Sequence, residues 1–370
     1  MARGACRNGN AGHRRAIVSV FECPICRVSA IEPVTGADKI DLAAVMGFNV
    51  IVERGRFRAG DLAIFIPPDA MLPRGLADSL KGTTKLFGER KNRTRAYKLR
   101  GVVNEGVLVG PLPAGKEGTD AAVTLGIVKY EPRLPKRMRG ECVRLPSLTI
   151  AFDLENWRRH PGIVLEGELV EISEKIHGTF CGVSVVPNLN NGALYRGDTL
   201  IYSKGLGQRG FVIKDSEPNA ENLYLKAVKR LGLRERIISA FGYTVQATIF
   251  GELYGSGVQD LCYGEAEPQF GLFDVYLGAP KQGRFLNGNE LDLLRDSIGP
   301  RVPILYRGPF EKPMMREFAS GESVIGNGAN IREGVVVRSC ADRWHPKIGR
   351  VILKYVSPEY LARSGGTEYQ

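Results

Sequence analysis

The chain has 370 residues, 43% of them hydrophobic, and its 51 Lys and Arg outnumber 40 Asp and Glu to give a formal net charge of +11. This length exceeds one ordinary hydrophobic core and predicts two domains. No apolar run approaches the roughly 20 residues that cross a bilayer, which argues against a membrane protein. The positive charge favours polyanionic partners such as nucleic acids without proving one.

The first 21 residues, MARGACRNGNAGHRRAIVSVF, are basic and glycine-rich and lack the apolar core of a secretory signal. We expect residues 1–20 to form a disordered basic extension, with organellar targeting as the alternative. The seven cysteines are an odd number at scattered positions, so we expect a reducing, cytoplasmic location rather than a disulfide framework. CPIC at 23–26 has metal-ligand spacing, but a structural zinc site needs four ligands and the sequence has no second CxxC or HxxxH pair, so zinc is the weaker interpretation.

Residues 21–140 contain short strands separated by turns, namely CRVSAIEPV, KIDLAAVMG, FNVIVERG, DLAIFIPP and GVLVGPLP. Alternation, β-branched residues and Gly/Pro punctuation predict a small all-β barrel or sandwich. The run KLFGERKNRTRAYKLR (85–100) is densely cationic, and its Phe87 and Tyr97 offer rings for base stacking. A solvated charged loop is the alternative. The predicted nucleic-acid-binding residues are Lys85, Arg90, Lys91, Arg93, Arg95, Lys98 and Arg100.

A proline-rich basic stretch, EPRLPKRMRG (131–140), leads into a region where strands alternate with helices. We predict strands near 168–176, 180–186, 244–252, 270–277, 334–338 and 350–355, and helices over 219–241 and 288–299. The predicted fold class is α+β. A small β-barrel at 21–140 precedes a mixed α/β domain of antiparallel sheets and helices at 141–365.

The heptad EKIHGTF (174–180) joins two of these strands. An unperturbed lysine, with a pKa of about 10.4, is neutral roughly once in two thousand molecules at pH 7. A nucleophilic Lys175 therefore needs burial, a neighbouring positive charge or a metal to lower its pKa. Gly178 lets a nucleotide approach the backbone, and His177 points to the same side of the chain as Lys175. A surface lysine, a satisfied histidine and a turn glycine are the alternative.

Charged and aromatic residues recur at strand ends downstream. They are Glu252 in FGELYGSGVQDLCYG (250–264), Phe273 in FGLFDVY (270–276), Glu333 in REGVVVRS (332–339) and Lys354 in RVILKYVSPEYL (350–361). A strand-end carboxylate backed by glycine turns suits the hydroxyls of a ribose. Each residue alone fits a solvated strand end, whereas all four in one order favour a nucleotide site.

In order and approximate spacing, EKIHGTF, FGELYGSGVQ, LFDVY, REGVVVR and RVILKYVS resemble the collinear motifs of the covalent nucleotidyltransferase superfamily. They are most similar to RNA ligases of the bacteriophage T4 RNA ligase 2 type. The closest resemblance is to the Deinococcus and Naegleria subgroup, which carries an N-terminal OB-fold domain. TGADKIDLAAVMGF, FRAGDLAIFIPPD and YKLRGVVNEGVLVGP resemble that OB module, so the likeness covers about residues 21–360.

The resemblance implies an OB-fold domain followed by an adenylyltransferase domain, and a role for each matching residue. Lys175 is the implied nucleophile that takes AMP from ATP, and His177 and Lys354 are its implied catalytic partners. Glu252 is implied to hold the ribose and Phe273 to stack on adenine. Glu333 is the implied ligand of Mg²⁺ or Mn²⁺. The implied ATP- and AMP-binding residues are Glu174, Lys175, Ile176, Gly178, Glu252, Phe273, Glu333 and Lys354.

The implied function is an ATP-dependent RNA ligase that forms lysyl–AMP, adenylylates a 5′-phosphate end and joins it to a 3′-hydroxyl RNA end. The expected partner is RNA or an RNA/DNA nicked duplex in RNA repair, with no protein partner. DNA ligases and capping enzymes are an alternative, but they normally continue into a C-terminal OB domain, and sixteen residues follow Lys354 here. A nucleic-acid-binding protein with a degenerate transferase domain is the other alternative.

Three positions depart from the pattern of the resembled family. Phe180 stands where the family has Asn, Gly205 where it has Arg, and Val356 where it has a second Lys. We expect these departures to affect nucleic-acid handling and rate more than adenylylation of the enzyme.

Overall fold

The structure, a computed structural model, describes residues 21–187, 189, 198–328 and 330–367. The predicted extension at 1–20 lies outside the described residues. Within the part of the chain that is described, no helix combines the length and the apolar character needed to pass through a bilayer.

The N-terminal part consists mainly of antiparallel strands. Its elements are β1 (Ile25–Pro33), β2 (Ile40–Val45), β3 (Phe48–Glu53), β4 (Leu62–Ile66), β5 (Ala70–Met71), α1 (Arg74–Ser79), β6 (Tyr97–Leu99), β7 (Val102–Asn104), β8 (Val107–Leu112), α2 (Ala122–Leu125) and β9 (Val128–Lys129). The main sheet has the order β3-β2-β1-β4-β8, and β5 pairs with β9 and β6 with β7. Each of the five strands expected from the sequence pattern is present.

The edge of this sheet at β3 meets the segment that leads into β8. The Glu105 amide donates to the Asn49 carbonyl at 2.8 Å, and the Ile51 amide donates to Asn104 Oδ1 at 2.7 Å. These bonds curl the sheet toward a barrel and satisfy donors that an open edge would expose. The strands predicted from alternation thus form the expected OB-fold.

Cys23 and Cys26 are buried, in two different apolar clusters of this domain. Burial raises the pKa of Cys23 to about 12 and that of Cys26 to about 11, so both side chains remain thiols. The CPIC motif therefore supplies packing to the barrel core, and no cluster of metal ligands occurs among the described residues.

The C-terminal part forms two larger sheets with helices packed against them. Its strands are β10 (Cys142–Arg144), β11 (Glu155–Asn156), β12 (Leu169–Lys175), β13 (Thr179–Val185), β14 (Thr199–Tyr202), β15 (Phe211–Ile213), β16 (Ala247–Tyr254), β17 (Gln269–Leu277), β18 (Arg284–Phe285), β19 (Ile304–Pro309), β20 (Gly334–Ser339), β21 (Trp344–His345), β22 (Gly349–Arg350) and β23 (Ile352–Val356). Its helices are α3 (Lys204–Gln208), α4 (Leu223–Arg230), α5 (Leu233–Phe241), α6 (Gly288–Asp292), α7 (Met314–Ala319) and α8 (Pro358–Leu361).

One large sheet has the order β11-β23-β20-β12-β19 and the other the order β14-β13-β16-β17-β18. Consecutive strands β12 and β13 belong to different sheets, so the chain crosses between them at residues 176–178. β12 alternates apolar and polar residues and places Val170 and Ile172 in the core cluster behind its sheet, whereas β13 is mostly apolar and packs against the cluster behind the other sheet. The domain boundary predicted near residue 140 stays a prediction; it falls between β9, which pairs with β5, and β10, which pairs with β15.

Two predicted helices differ from the structure. The helix expected over 219–241 is two helices, because Asn222 caps α4 and Gly232, with φ +61°, adopts a left-handed conformation that interrupts the chain before α5. The helix expected over 288–299 ends at Asp292. Its start is a capping box, in which Asn287 accepts from the Glu290 amide at 3.0 Å, but the following residues form turns.

Arg158 joins the two parts of the molecule. Its guanidinium forms an ion pair with Glu105 of the barrel, with 2% and 1% of the two side chains exposed. It also lies 4.7 Å from the ring centroid of Phe48 and 4.2 Å from that of Tyr355, and donates to the Val356 carbonyl at 3.2 Å. A barrel carboxylate thus fixes β23 of the C-terminal part through one buried cation.

Glu105→Gln tests this connection. The substitution keeps the size of the side chain but leaves the buried guanidinium without its counter-charge, so we expect the free energy of unfolding to fall by about 3 kcal/mol. Urea unfolding followed by fluorescence measures the change. Asp78→Asn is the control, since Asp78 pairs with Lys81 on the surface and its loss should leave stability unaltered. An equal change in the free energy of unfolding in the two variants would contradict the role of the Glu105–Arg158 pair in joining the two parts.

Candidate active site

The crossing between the two sheets requires glycine at position 178. A Cβ atom there would overlap the Leu253 carbonyl oxygen and stand 2.9 Å from Glu252 Cγ. Because glycine has no side chain, β13 can start directly beside β16, where Phe180 pairs with Glu252. The heptad therefore has a packing role as well as a chemical one.

Lys175 ends β12 and faces the cavity that opens at this crossing. Its Nζ donates to Glu333 Oε1 at 2.6 Å, with 26% of the lysine side chain and 8% of the glutamate side chain exposed. Lys175 pairs in register with Gly334 of β20, and Glu333 is the residue before it. Two residues 158 positions apart in the sequence are thus held together by the sheet register.

Lys354 lies in β23 beside β20, paired with Val336, and lines the same cavity. Burial, followed by the charges of Lys204 and Lys175, lowers the pKa of Lys354 to about 8. Asp153 opposes this shift, since Lys354 Nζ and Lys204 Nζ lie 3.9 and 2.5 Å from its Oδ1. The cavity is therefore lined by three lysines, and Asp153 lies between two of them.

Glu252 lines the cavity at the point where the two sheets meet. Burial among protein atoms and the neighbouring Glu333 raise the pKa of Glu252 to about 8, while Lys175 lowers it. A protonated carboxyl can both donate and accept, which suits a diol. The role of Glu252 as the residue that holds the ribose stays a prediction.

Aromatic rings form the apolar side of the cavity. Phe152, Phe180 and Phe273 all line it, and the Phe152 ring centroid lies 5.2 Å from that of Phe273 and 5.9 Å from that of Phe180. Arg338, almost wholly buried, donates to the Phe273 carbonyl at 2.8 Å and pairs with Asp274. The cavity, of about 250 Å³, is thus lined both by aromatic rings and by lysines.

Glu174 and Ile176 flank the nucleophile candidate in different surroundings. Glu174 Oε2 accepts from the Val324 amide at 3.0 Å and lies 3.4 Å from Arg332 Nε, whereas its buried Oε1 has no hydrogen-bond partner. Ile176 packs against Tyr254 and Tyr263 and borders the cavity. Glu174 and Ile176, both predicted to bind the nucleotide, therefore line the cavity, and Glu174 Oε1 can still accept a hydrogen bond.

His177 is 2% exposed and is bonded on both sides of its ring. Nε2 lies 2.7 Å from Asp260 Oδ1, and Nδ1 lies 2.6 Å from the Tyr360 hydroxyl. Arg363 adds an ion pair to Asp260 at 3.0 Å. This network holds the ring against α8 and the segment that follows it, and His177 also lines the cavity, so its role as a catalytic partner of Lys175 stays a prediction.

The cationic run 85–100 divides into two groups. Lys85, Arg90, Lys91, Lys98 and Arg100 are exposed. Arg93 instead pairs with Asp69 and stacks on Tyr130, with its Cζ 3.5 Å from the ring centroid. Arg95 faces a cleft between the barrel and the C-terminal part. Phe87 and Tyr97 are both half-buried, with ring centroids 5.7 Å apart, and Lys85 Nζ lies 5.2 Å from the Phe87 centroid; base stacking on these rings stays a prediction.

Several residues of the site carried no recognisable signal in the sequence. Phe152 and Asp153 precede the first long strand of the catalytic part, in a segment with no hydrophobic period, and reach the cavity through tertiary packing alone. Asp260 and Tyr360 are likewise brought to His177 from distant positions. The capping position of Ser357, which orders Tyr360, was a detectable signal, since Ser before Pro is a common helix start.

The donor set at Glu333 fits a divalent cation. Glu333 Oε2 is buried without a hydrogen-bond partner, and oxygen ligands suit Mg²⁺ and Mn²⁺. Among the described residues no group of three or more acidic, His or Cys ligands exists. Magnesium commonly binds one or two carboxylates together with substrate phosphates, so a single carboxylate beside a phosphate site is a sufficient anchor.

A two-sheet domain with a lysine at the sheet crossing, a second lysine, two carboxylates and an aromatic wall, preceded by an OB-fold, defines a nucleotidyltransferase of the ligase class. Residues 168–356, just over half of the chain, match the RNA ligase family model, and the chain belongs to this family. Residues 23–112 match an OB-fold domain model. A comparison with curated protein sequences gave no significant match.

Solved structures of the Naegleria gruberi RNA ligase share the fold. A point mutant with AMP and Mn superposes with a TM-score of 0.73 at 20% identity, covering 92% of this chain and 98% of that one. Another mutant with ATP and Mn gives 0.71 at 20% identity, with the same coverage. The ligase with PPi gives 0.71 at 21% identity, again covering 92% and 98%. Both the barrel and the catalytic part are included in this similarity.

Glu252→Gln tests the protonation of the cavity. The pKa of Glu252 rises from 4.5 to about 8 on folding, so the folded state binds more protons between these values and the stability contributed by this carboxyl is lost as pH rises through 8. The variant should be more stable than the wild type at pH 8.5, by about 2 kcal/mol after allowing for cavity water, and equal to it at pH 5. Thermal unfolding at the two pH values measures this.

Glu290→Gln is the control of opposite sign, since Arg284 lowers the pKa of Glu290 to about 2. It should bring no gain at alkaline pH. A Glu252→Gln variant with the same advantage or deficit at both pH values would contradict the assignment.

Proposed function

We propose that this RNA ligase uses ATP, carries AMP on Lys175 and seals nicks in duplexes whose 3′-hydroxyl strand is RNA. The observation that carries the proposal is the Lys175 amine, held at 2.6 Å by Glu333 inside the cavity between the two sheets. The complexes of the Naegleria ligase with ATP, AMP, Mn and PPi support the choice of nucleotide and metal.

Lys175 performs the first step. Its neutral Nζ forms a bond to the α-phosphorus of ATP while the bond from phosphorus to the pyrophosphate oxygen breaks. Pyrophosphate leaves with the electron pair, and the nitrogen gives up one proton to water. Glu333 orients the amine through its hydrogen bond, and Lys354 supplies positive charge where the phosphate becomes more negative. Phe273 and Phe152 hold the base, and Glu252 holds the ribose.

The second step moves AMP from Lys175 to the 5′-phosphate of the nucleic acid, and in the third the 3′-hydroxyl attacks that phosphate and AMP leaves. His177 is buried and bonded to Asp260 and Tyr360, so we infer that it acts by fixing the shape of the Lys175–Gly178 crossing rather than by touching phosphate. Glu333 would hold Mg²⁺ or Mn²⁺, which when bound neutralises phosphate charge.

The nucleic acid has a route to the site along a basic cleft. The cleft, of about 910 Å³, lies between the barrel and the catalytic part, and among the described residues that line it seven are basic and three acidic. Asp153, Lys204 and Leu361 line both this cleft and the nucleotide cavity. The exposed cations of the 85–100 run extend the positive surface on the barrel side, which supports phosphate contacts flanking a nick.

Lys175→Ala tests the covalent step. Protein incubated with ATP labelled at the α-phosphate and Mg²⁺ should retain label after denaturation, and the variant should retain less than about a thousandth of it, because no other group replaces the nucleophile. Lys175→Arg keeps the charge but cannot lose its proton, and should also fail. Lys226→Ala on α4 is the control and should label normally. Full labelling of the Lys175→Ala protein would rule out this nucleophile.

Paired substitution of Lys98 and Arg100 by Gln tests the barrel surface. Affinity for a nicked duplex should become less salt-dependent, with the slope of log K against log[salt] smaller by about 2, because roughly 0.9 counterion is released per phosphate contact. Self-adenylylation, which needs no nucleic acid, should continue. Gln at Lys226 and Lys229 is the matched control on the catalytic part. Point variants are preferable to removal of residues 1–140, since removal would strip Arg158 of Glu105. An unchanged slope would exclude this surface.

The alternative of a nucleic-acid-binding protein with a degenerate transferase domain predicts duplex binding with no labelling of the wild type. The first experiment therefore separates the two functions. Comparing nicked duplexes with RNA or DNA on each side of the break then defines the substrate.

A further inference from the structure

Asp153 occupies the boundary between the nucleotide cavity and the basic cleft, and its side chain lines both. Only 4% of that side chain is exposed. Its Oδ1 lies 2.5 Å from Lys204 Nζ and 3.9 Å from Lys354 Nζ. One carboxylate oxygen is thus shared between two lysines at the boundary of the cavity and the cleft.

The three side chains come from well-fixed elements. The Leu154 amide donates to Asp153 Oδ1 at 2.8 Å, and Gln208 Nε2 lies 3.3 Å from Oδ2. Lys204 is the first residue of α3, which Ser203 caps, and Lys354 lies in β23 between two neighbouring strands. The carboxylate is therefore built into the backbone around it, while both lysines have long side chains whose tips can turn.

The charges that face Lys354 come from three directions. Lys204 reaches it from α3 and Lys175 from β12, and both repel it; Asp153 and Glu155, before and in β11, attract it. Without the Asp153 carboxylate, the repulsion between the lysines would act without its nearest counter-charge, and Lys354 would lose its proton more readily.

We propose that Asp153 is a positioning residue that holds Lys204 and Lys354 at the junction as their shared counter-charge until substrate phosphates replace it as their partner. The proposal rests on the proposed function, because it assigns the two lysines to phosphate binding. It explains why a buried acid stands in a site for a polyanion: the carboxylate neutralises the lysines while the site holds no phosphate, and phosphates with more negative charge compete for them afterwards.

Asp153→Asn provides the test, since it removes the charge and keeps the shape. The measurement is kcat/KM for formation of the labelled Lys175 adduct with ATP between pH 6.5 and 8.5, which reports ionisations of the free enzyme. A fall of about one unit in the pKa of Lys354 lowers the variant relative to the wild type about fivefold at pH 8 and less than twofold at pH 6.5. The ratio of variant to wild type should therefore decrease as pH rises.

Asp153→Glu retains the charge and should follow the wild-type pH profile even if its rate is lower. It also keeps the test valid if the Asn variant folds poorly. Asp198→Asn is the control: Asp198 pairs with Arg234 at the far end of β13 from Gly178 and should leave the profile unaltered. A ratio for Asp153→Asn that is constant with pH overturns the inference. Absence of label in the wild type instead refutes the proposed function, on which the inference depends.

Discussion

The structure depends on the space at Gly178, where the chain passes from one sheet of the catalytic part into the other. Because glycine has no Cβ atom that would overlap the Leu253 carbonyl, the chain can leave β12 and enter β13 directly beside β16. This crossing leaves the last residue of β12 at the mouth of the cavity, opposite the residue that begins β20. The register between β12 and β20 therefore determines the contact between Lys175 and Glu333.

The electrostatics of the cavity follow from the close approach of several lysines in a site that is largely shielded from solvent. Three lysines converge on it, and the carboxylates of Asp153 and Glu333 compensate them. Glu252, with its pKa raised by burial, adds little negative charge near neutral pH. The charges of these lysines and carboxylates thus largely offset one another, and we infer that a nucleotide binds by exchanging partners with groups that are already paired. Such exchange makes binding selective for ligands that bring several negative charges at defined positions.

Sequence reasoning succeeded where local pattern and tertiary structure agree. Alternation located the strands of the barrel and of both sheets, and the order of Lys175, Glu252, Glu333 and Lys354 led to residues that line one cavity. It was wrong for the helix over 219–241, where apolar spacing continues across Gly232 although the backbone does not. It also gave no indication of Phe152 or Asp153, since these residues lie in irregular chain and their neighbours are set by packing. The burial of His177 in a polar network was equally inaccessible, because its partners are 83 and 183 residues away.

Arg158 limits how freely the two parts of this chain could be recombined. A ligase domain grafted onto a different N-terminal module would carry a buried guanidinium that requires a carboxylate and an aromatic ring from its new neighbour. With a module that lacks both groups, Arg158 would remain as an uncompensated buried charge next to β23, the strand that carries Lys354. A chimeric ligase built on this catalytic part therefore needs an N-terminal module with residues equivalent to Phe48 and Glu105 at the contact with Arg158.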